Sequence, residues 1–290
     1  MKKIDTPKRI SYLRELKVSL RQGFRALTGN KVNLFISLLF PFMAAGITVW
    51  IAGKDMFVNM ESTKSACFIL VCAAIWGGLF NSIQVIVKER KHVKREYDSG
   101  ALRIGCYVTS KAIIQFLLCV FQSAVLCLSF LGVRWAYDNE LPAEGLIFGS
   151  AMVEYYITIF LIVFAADTMG LCISCIVKNE QLASQMSPYI LIVQLLFSGV
   201  LFAMEGAASN VSAVMLSRWG MEALGSISNL NDLPLRLQEE FPMIPHEADE
   251  AFLYTAEHLQ EVWLILLVFV VVPLIVGNIA LHSVKKDTRG

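Results

Sequence analysis

The chain reads as an all-α membrane protein with six transmembrane helices, and three observations predict this. Hydrophobic residues make up 56% of the 290 and charged residues only 17%, with a mean hydropathy of +0.59, a balance more apolar than that of water-soluble domains. Six runs are apolar for the roughly 20 residues needed to cross about 30 Å of hydrocarbon at about 1.5 Å per residue. Strand-like alternation does not recur often enough to build a transmembrane barrel.

The first 31 residues are not a secretory signal, because polar residues continue through Asn30 where a signal has its apolar core. Instead Ile10, Leu13, Leu16, Leu20, Phe24 and Leu27 recur every three or four residues with Lys and Arg between them, the period of an amphipathic helix. Thr6 and Pro7 read as N-cap and first helical position, and Gly29 as the stop. Residues 1–31 are expected to lie along the inner membrane surface, basic side chains toward anionic head groups.

An apolar membrane region, residues 32–285, follows. Its spans are placed at Val32 to Gly53, Ser65 to Val87, Ile104 to Val133, Leu146 to Val177, Leu182 to Met204 and Val262 to Leu281. The third and fourth exceed one straight crossing, so each is expected to tilt, protrude or break. Pro41, Pro188 and Pro273 each fall within a span and predict kinks.

Between spans two and three lies Lys88-Glu89-Arg90-Lys91-His92-Val93-Lys94-Arg95-Glu96-Tyr97-Asp98-Ser99-Gly100, an elbow too charged for hydrocarbon. Lys and Arg crowd the N-terminus, this elbow, the turn at Lys178 and the tail at 286–290, whereas the other side holds only Lys54, Lys64, Arg134, Arg218 and Arg236. Basic connections stay in the cytoplasm, so both termini and the elbow are expected there. The large outer loop, 205–261, carries the acids Glu222, Asp232, Glu239, Glu240, Glu247, Asp249, Glu250 and Glu257. Val211, Val214, Leu216, Trp219, Met221 and Leu224 recur at near-helical spacing in it, predicting a small helical cap.

Several chemistries lack their residues. The chain contains no H-E-x-x-H, no G-x-S-x-G and no G-x-x-x-x-G-K-[ST], so proteolysis, lipid hydrolysis and P-loop ATP hydrolysis by this chain are not expected. Cys172-x-x-Cys175 has redox or metal spacing, but it lies on an apolar helix without a second Cys or His pair nearby, and reads as two small packing residues. No metal, resident cofactor or nucleic-acid partner is expected. Asp167 and Glu154 interrupt the fourth span, where an ionised carboxylate costs about 2.5–3.5 kcal/mol on insertion scales. Each is a candidate for lining a translocation path. The structural alternative for each, favoured over a substrate contact, is a buried hydrogen bond to a neighbouring helix.

The elbow and its sequel are more specific. Glu89-Arg90-x-x-Val93-x-Arg95-Glu96-x-x-x-Gly100, followed by Tyr107 and Lys111, resembles the pattern E-R-x-x-F-x-R-E-x-x-x-G-x-Y after the second helix of type-2 ABC (ABC-2) export permeases, especially the G-subfamily-like branch. Ser217-Arg218-Trp219-Gly220-Met221-Glu222-Ala223-Leu224 is similar to that family's tryptophan-and-E-A-L stretch before the last span. The resemblance extends to an interfacial first helix, six spans and a large loop before the sixth. Val93 replaces the usual aromatic and Leu102 a common Tyr. The outer loop lacks the cysteines of many eukaryotic members, which points to a bacterial protein.

The resemblance implies a permease subunit, non-enzymatic itself, in the cell membrane. Residues 88–101 would be its coupling helix, with Glu89, Arg90, Arg95, Glu96 and Gly100 transmitting the closure of an ABC ATPase to the spans. That ATPase, binding ATP and Mg, is expected as a separate subunit, and a second permease copy or homologue is expected to complete the path amid membrane lipids. Arg90 and Arg95 are expected to bond carboxylates of the ATPase or neighbouring glutamates, with Glu89 and Glu96 bracing the elbow against the N-terminal helix. The competing readings are a secondary carrier that uses Asp167 and Glu154, and a non-transporting immunity or scaffold subunit.

Overall fold

A computed structural model describes residues 11–29, 31–140, 142, 144–202, 204–234 and 249–286. The expected cap at Thr6 and Pro7, Ile10, Arg236, Glu239, Glu240, Glu247 and the tail beyond 286 lie outside these residues. The described elements are helical: α1 (Tyr12–Gly29), α2 (Lys31–Ala52), α3 (Met60–Ser82), α4 (Arg90–Asp98), α5 (Ile104–Tyr137), α6 (Ala151–Ile176), α7 (Glu180–Leu196), α8 (Ala207–Ser212), α9 (Leu216–Ile227) and α10 (Ala256–Leu281).

The helix starts follow local chemistry. The side chains of Asn59, Asn179 and Thr255 accept hydrogen bonds from the backbone N–H of Glu61, Gln181 and His258, starting α3, α7 and α10, as short polar N-caps do. Asp138 closes α5 in the left-handed conformation, at φ 59°. Pro41, Pro188 and Pro273 lie inside α2, α7 and α10. The long third span is one unbroken helix of 34 residues, about 50 Å at 1.5 Å per residue. The fourth is shorter than expected, because Glu154 Oε1 accepts the backbone N–H groups of Ile147 and Phe148 at 2.6 and 2.9 Å and folds the preceding residues back as a loop.

The core is centred on α3 and α6, whose backbones nearly touch. A Cβ added to Gly78 would strike the Val163 carbonyl oxygen and lie 2.9 Å from Asp167 N; one on Gly170 would strike Ser82 Oγ and lie 2.8 Å from Leu79 O. Ser82 Oγ donates to the Asp167 carbonyl oxygen at 2.5 Å. Small residues and hydroxyl bonds of this kind join helices where lipid supplies no hydrophobic drive. Cys172 and Cys175 serve the same purpose on the other side of α6: Gly277 of α10 packs onto them, its added Cβ falling 3.1 Å from Cys172 Cα and 3.4 Å from Cys175 Sγ.

Among the described residues, five helical stretches are long and apolar enough to cross a membrane, those containing α2, α3, α5, α6 and α10. The expected fifth span, Leu182 to Met204, is α7, which stops at Leu196 after 17 residues. Its end is forced by the turn that follows, where Gly199 takes φ +79°, a conformation favouring glycine. The rest of the depth is filled from outside. Helix α9 packs among α3, α6, α7 and α10, with ten of its residues buried, including Leu216, Gly220, Met221 and Leu224. The expected cap is therefore a plug sunk into the bundle, tied to α7 by Ser217 N–H donating to Gln194 Oε1 at 3.0 Å and to α6 by the 2.9 Å hydroxyl contact of Ser228 with Tyr155. Glu222 of α9 lies 3.4 Å from His258 Nε2 and 3.7 Å from Arg218 Nε. Burial pushes its carboxyl pKa up, with His258 and Arg218 opposing the shift.

Two ends of the bundle result. One gathers α1, α4, the start of α5, the end of α6, the start of α7 and the end of α10: Glu15 bonds Arg103, Lys88 lies 3.5 Å from Glu180, and the Tyr97 ring lies 6.2 Å from that of His282. The other gathers the α2–α3 connection, the end of α5 and the outer loop: Asn139 Nδ2 donates to the carbonyls of Gly53, Lys54 and Met56, and Tyr254 reaches Glu144 O.

The glycine seam yields a stability test. Gly170→Val should lower stability by about 1–3 kcal/mol through overpacking. Gly46→Ala, where an added Cβ meets nothing within 4 Å, should be neutral or stabilise by up to about 1 kcal/mol. The unfolding midpoint of purified protein in mild detergent distinguishes the two.

Candidate functional site

The elbow is a near-continuous helical path rather than a loop. Past Ser82 the backbone bonds run Ile83 N to Leu79 O, Lys88 N to Gln84 O, Arg90 N to Val87 O and Val93 N to Glu89 O, so α3 passes into α4 through tight turns. Ser174 Oγ of α6 fixes the bend by accepting the N–H groups of Ile86 and Val87, both at 3.0 Å. Beneath it a small apolar core holds Ile86, Val93, Ile104, Val108, Leu171, Leu281 and Val284. Val93 is 1% exposed, so the position read as an aromatic in the pattern is one that fills this core.

Two adjacent side chains leave the elbow in different directions. Glu89 Oε2 accepts the Tyr107 hydroxyl at 2.6 Å and Oε1 accepts Lys111 Nζ at 2.8 Å. Lys111, 8% exposed, also lies 5.3 Å from the Tyr107 ring centroid, within cation–π range. Arg90, 5% exposed, donates from Nη1 to the carbonyl oxygens of Cys175 at 2.6 Å and Val177 at 3.2 Å. These are carbonyls left over at the C-terminal end of α6, where a cation also meets the favourable end of the helix dipole. One residue thus fastens the elbow to α5 and the next fastens it to α6.

The remaining pattern residues shape and display α4. Glu96 pairs with His92 at 2.9 Å, while its carbonyl accepts the N–H groups of Ala101 and Leu102 and the Ser99 hydroxyl. Gly100 ends the helix at φ +73°, a geometry costly for a side-chain-bearing residue. Lys91, His92 and Arg95 are exposed, giving α4 a basic outer face.

Two placements differ from the expectations, those of Arg90 and of the Glu89 and Glu96 pair. Arg90 points into the chain's own fold instead of outward, because α6 ends within its reach. Glu89 and Glu96 do not brace the elbow against α1; that helix is held instead by Glu15, which accepts Arg103 N–H at 2.6 Å and lies 3.5 Å from Arg103 Nε, and by Gly23, where Ile114 of α5 fills the space of a Cβ. Asp167 and Glu154 are both fully buried and do not come together: Glu154 secures the loop before α6, and Asp167 lies in the α3–α6 seam. Neither carboxylate oxygen of Asp167 has a hydrogen-bond partner among the described residues. Sequence reasoning missed the roles of Ser174 and Glu15. The i, i+4 spacing of Tyr107 and Lys111, with a cation at membrane depth, was the signal that a carboxylate partner had to exist.

A model of the ABC-2 type transporter family matches residues 14–227, which includes most of α1, the elbow and α9. The chain is 22% identical over 237 residues to an ABC transporter ATP-binding/permease protein of Mycobacterium tuberculosis, covering 78% of this chain and 27% of that protein. It is 27% identical over 190 residues to ABC transporter G family member 7 of Arabidopsis thaliana, covering 63% of this chain and 24% of that one. The chain spans about a quarter of the length of both relatives.

Arg90 and Arg95 should behave oppositely. Arg90→Gln leaves α6 carbonyls without their charged donor and should lower stability by about 1.5–3 kcal/mol. Arg95→Ala on the exposed face should change it by less than about 0.5 kcal/mol. Thermal unfolding of the two purified variants checks this.

Proposed function

Because the chain belongs to the ABC-2 type transporter family, as its membrane domain, we propose that it is the permease of an ATP-driven exporter, moved by an ATPase domain that lies outside these 290 residues and binds ATP and Mg. The observation that carries this reading is the divergence of Glu89 and Arg90. A force on α4 travels along the helical path to α3, through Glu89 to α5 and through Arg90 to α6, so three helices respond as one body. The basic outer face of α4, with Lys91 and Arg95 exposed, suits a carboxylate-bearing surface on the ATPase. Nucleotide-driven closure of that partner shifts the permease between its inward-open and outward-open arrangements, provided the nucleotide-bound form favours one of them.

The topology follows in the same reading. Helix α7 is the fifth of six crossings; it starts beside the elbow at the Lys88–Glu180 pair and ends against α9, which supports a short crossing met halfway by a plug. Both termini and α4 then face the cytoplasm. Helix α1 lies in the interface, supported by Leu13 at 74% and Phe24 at 53% exposure beside its basic residues. A second permease unit completes the path, and the export direction rests on family resemblance.

Two experiments test this. Reversing the exposed charges, Lys91→Glu with Arg95→Glu, should abolish co-purification of the ATPase and ATP-dependent transport while leaving the unfolding midpoint unchanged; full transport by the double variant would overturn the coupling role. A membrane-impermeant amine reagent added to intact cells should leave Lys91 and Lys94 unmodified, and should label them only after the membrane is opened.

A further inference from the structure

A cavity of about 550 Å³ lies between α1, α2, α3, α5 and the start of α7, on the elbow's side of the bundle and apart from the outer face of α4. Its volume falls in the range of small-molecule sites, roughly 300–1,000 Å³. Its lining divides into two parts. One is a belt of amides: Asn81 Nδ2 donates to Gln122 Oε1 at 2.8 Å, Gln122 Nε2 donates to Ser37 O at 3.0 Å, and Gln115 Nε2 donates to Asn81 O at 3.0 Å. The other is apolar and aromatic. Trp76 and Phe80 stack with centroids 5.6 Å apart and planes 14° apart, each about half exposed, and Phe40 is also in the lining.

Two features say what such a space takes. Gln115, a residue of the lining, is 4% exposed, and its covered Oε1 has no hydrogen-bond partner among the described residues. Buried polar atoms normally have a partner, so this one calls for a donor. Among the described lining residues the buried cation, Lys111, is already neutralised by Glu89 at 2.8 Å, which leaves no unpaired buried cation there to hold an anion. We infer that the cavity binds an uncharged single-tailed amphiphile, its hydroxyl or amide head group on the Asn81, Gln115 and Gln122 belt and its hydrocarbon tail along Trp76 and Phe80. This concerns binding to the permease itself, so it is read without any ATPase and stands or falls separately from the coupling role.

The test uses the full chain in phosphatidylcholine nanodiscs and the quenching of tryptophan fluorescence by a dibromostearoyl monoglyceride, with dibromostearic acid as the anionic comparison. Subtracting the Trp76→Phe signal isolates the tryptophan at the cavity. The neutral probe should give a saturable Trp76 component at least tenfold stronger in half-point than the fatty acid. Gln115→Leu should weaken it at least tenfold. Gly77→Leu offers an independent variant: an added Cβ there lies at ordinary contact distance, 3.4 Å from Phe40 and 3.8 Å from Gln122, so the fold accommodates it while the branched end fills the cavity and removes saturation. Quenching that rises linearly with probe content, that favours the fatty acid, or that survives Gly77→Leu would overturn the inference. Should Gln115→Leu not fold, Gly77→Leu decides alone.

Discussion

The architecture depends on the ends of α5 and α6 being fastened to one short helix by two consecutive side chains. Glu89 carries a negative charge toward a cation and a phenol in α5, and Arg90 carries a positive charge toward bare carbonyls in α6. Neither bond works in isolation. Lys111 sits where an unpaired ammonium would be costly, and the last turn of α6 has carbonyls that no later residue of that helix can satisfy. The elbow therefore resolves two electrostatic problems of the bundle at once, and the same bonds join three membrane helices to the basic outer face of α4.

The rest of the polar interior follows the same logic of using leftovers. Glu154 supplies acceptors to a loop whose amides would otherwise face none, Ser174 does the same for the bend after α3, and Asn139 collects three carbonyls beyond α2. These are buried polar side chains of a membrane protein, and each bonds backbone groups that the helices and loops around it leave unsatisfied.

Much of the fold was legible because its signals are one-dimensional. Hydropathy located the apolar helices, the distribution of Lys and Arg separated the two ends, and the spacing of Leu16, Leu20 and Leu27 described α1. What could not be read depends on encounters between distant segments. The length of α7 was overestimated because apolar residues continue through Leu201 and Phe202 after the backbone has turned at Gly199. The burial of α9 was invisible because a half-apolar loop helix has the same pattern whether it caps a bundle or enters it. At the elbow, the order of residues identified the right segment, but charge alone could not say that Arg90 faces inward and Arg95 outward; a difference of five positions on a helix that starts at Arg90 decides it.

The seam between α3 and α6 has a mechanical consequence. Where Gly78 and Gly170 let one main chain lie against the other, no layer of side chains exists that could change rotamer and let the two rods slip in small steps. Sliding would need whole peptide planes to climb over each other, so this pair is confined to swinging together about an outside pivot. Whatever give the molecule possesses must reside in the more thinly covered rods at its margin, α2 and α7.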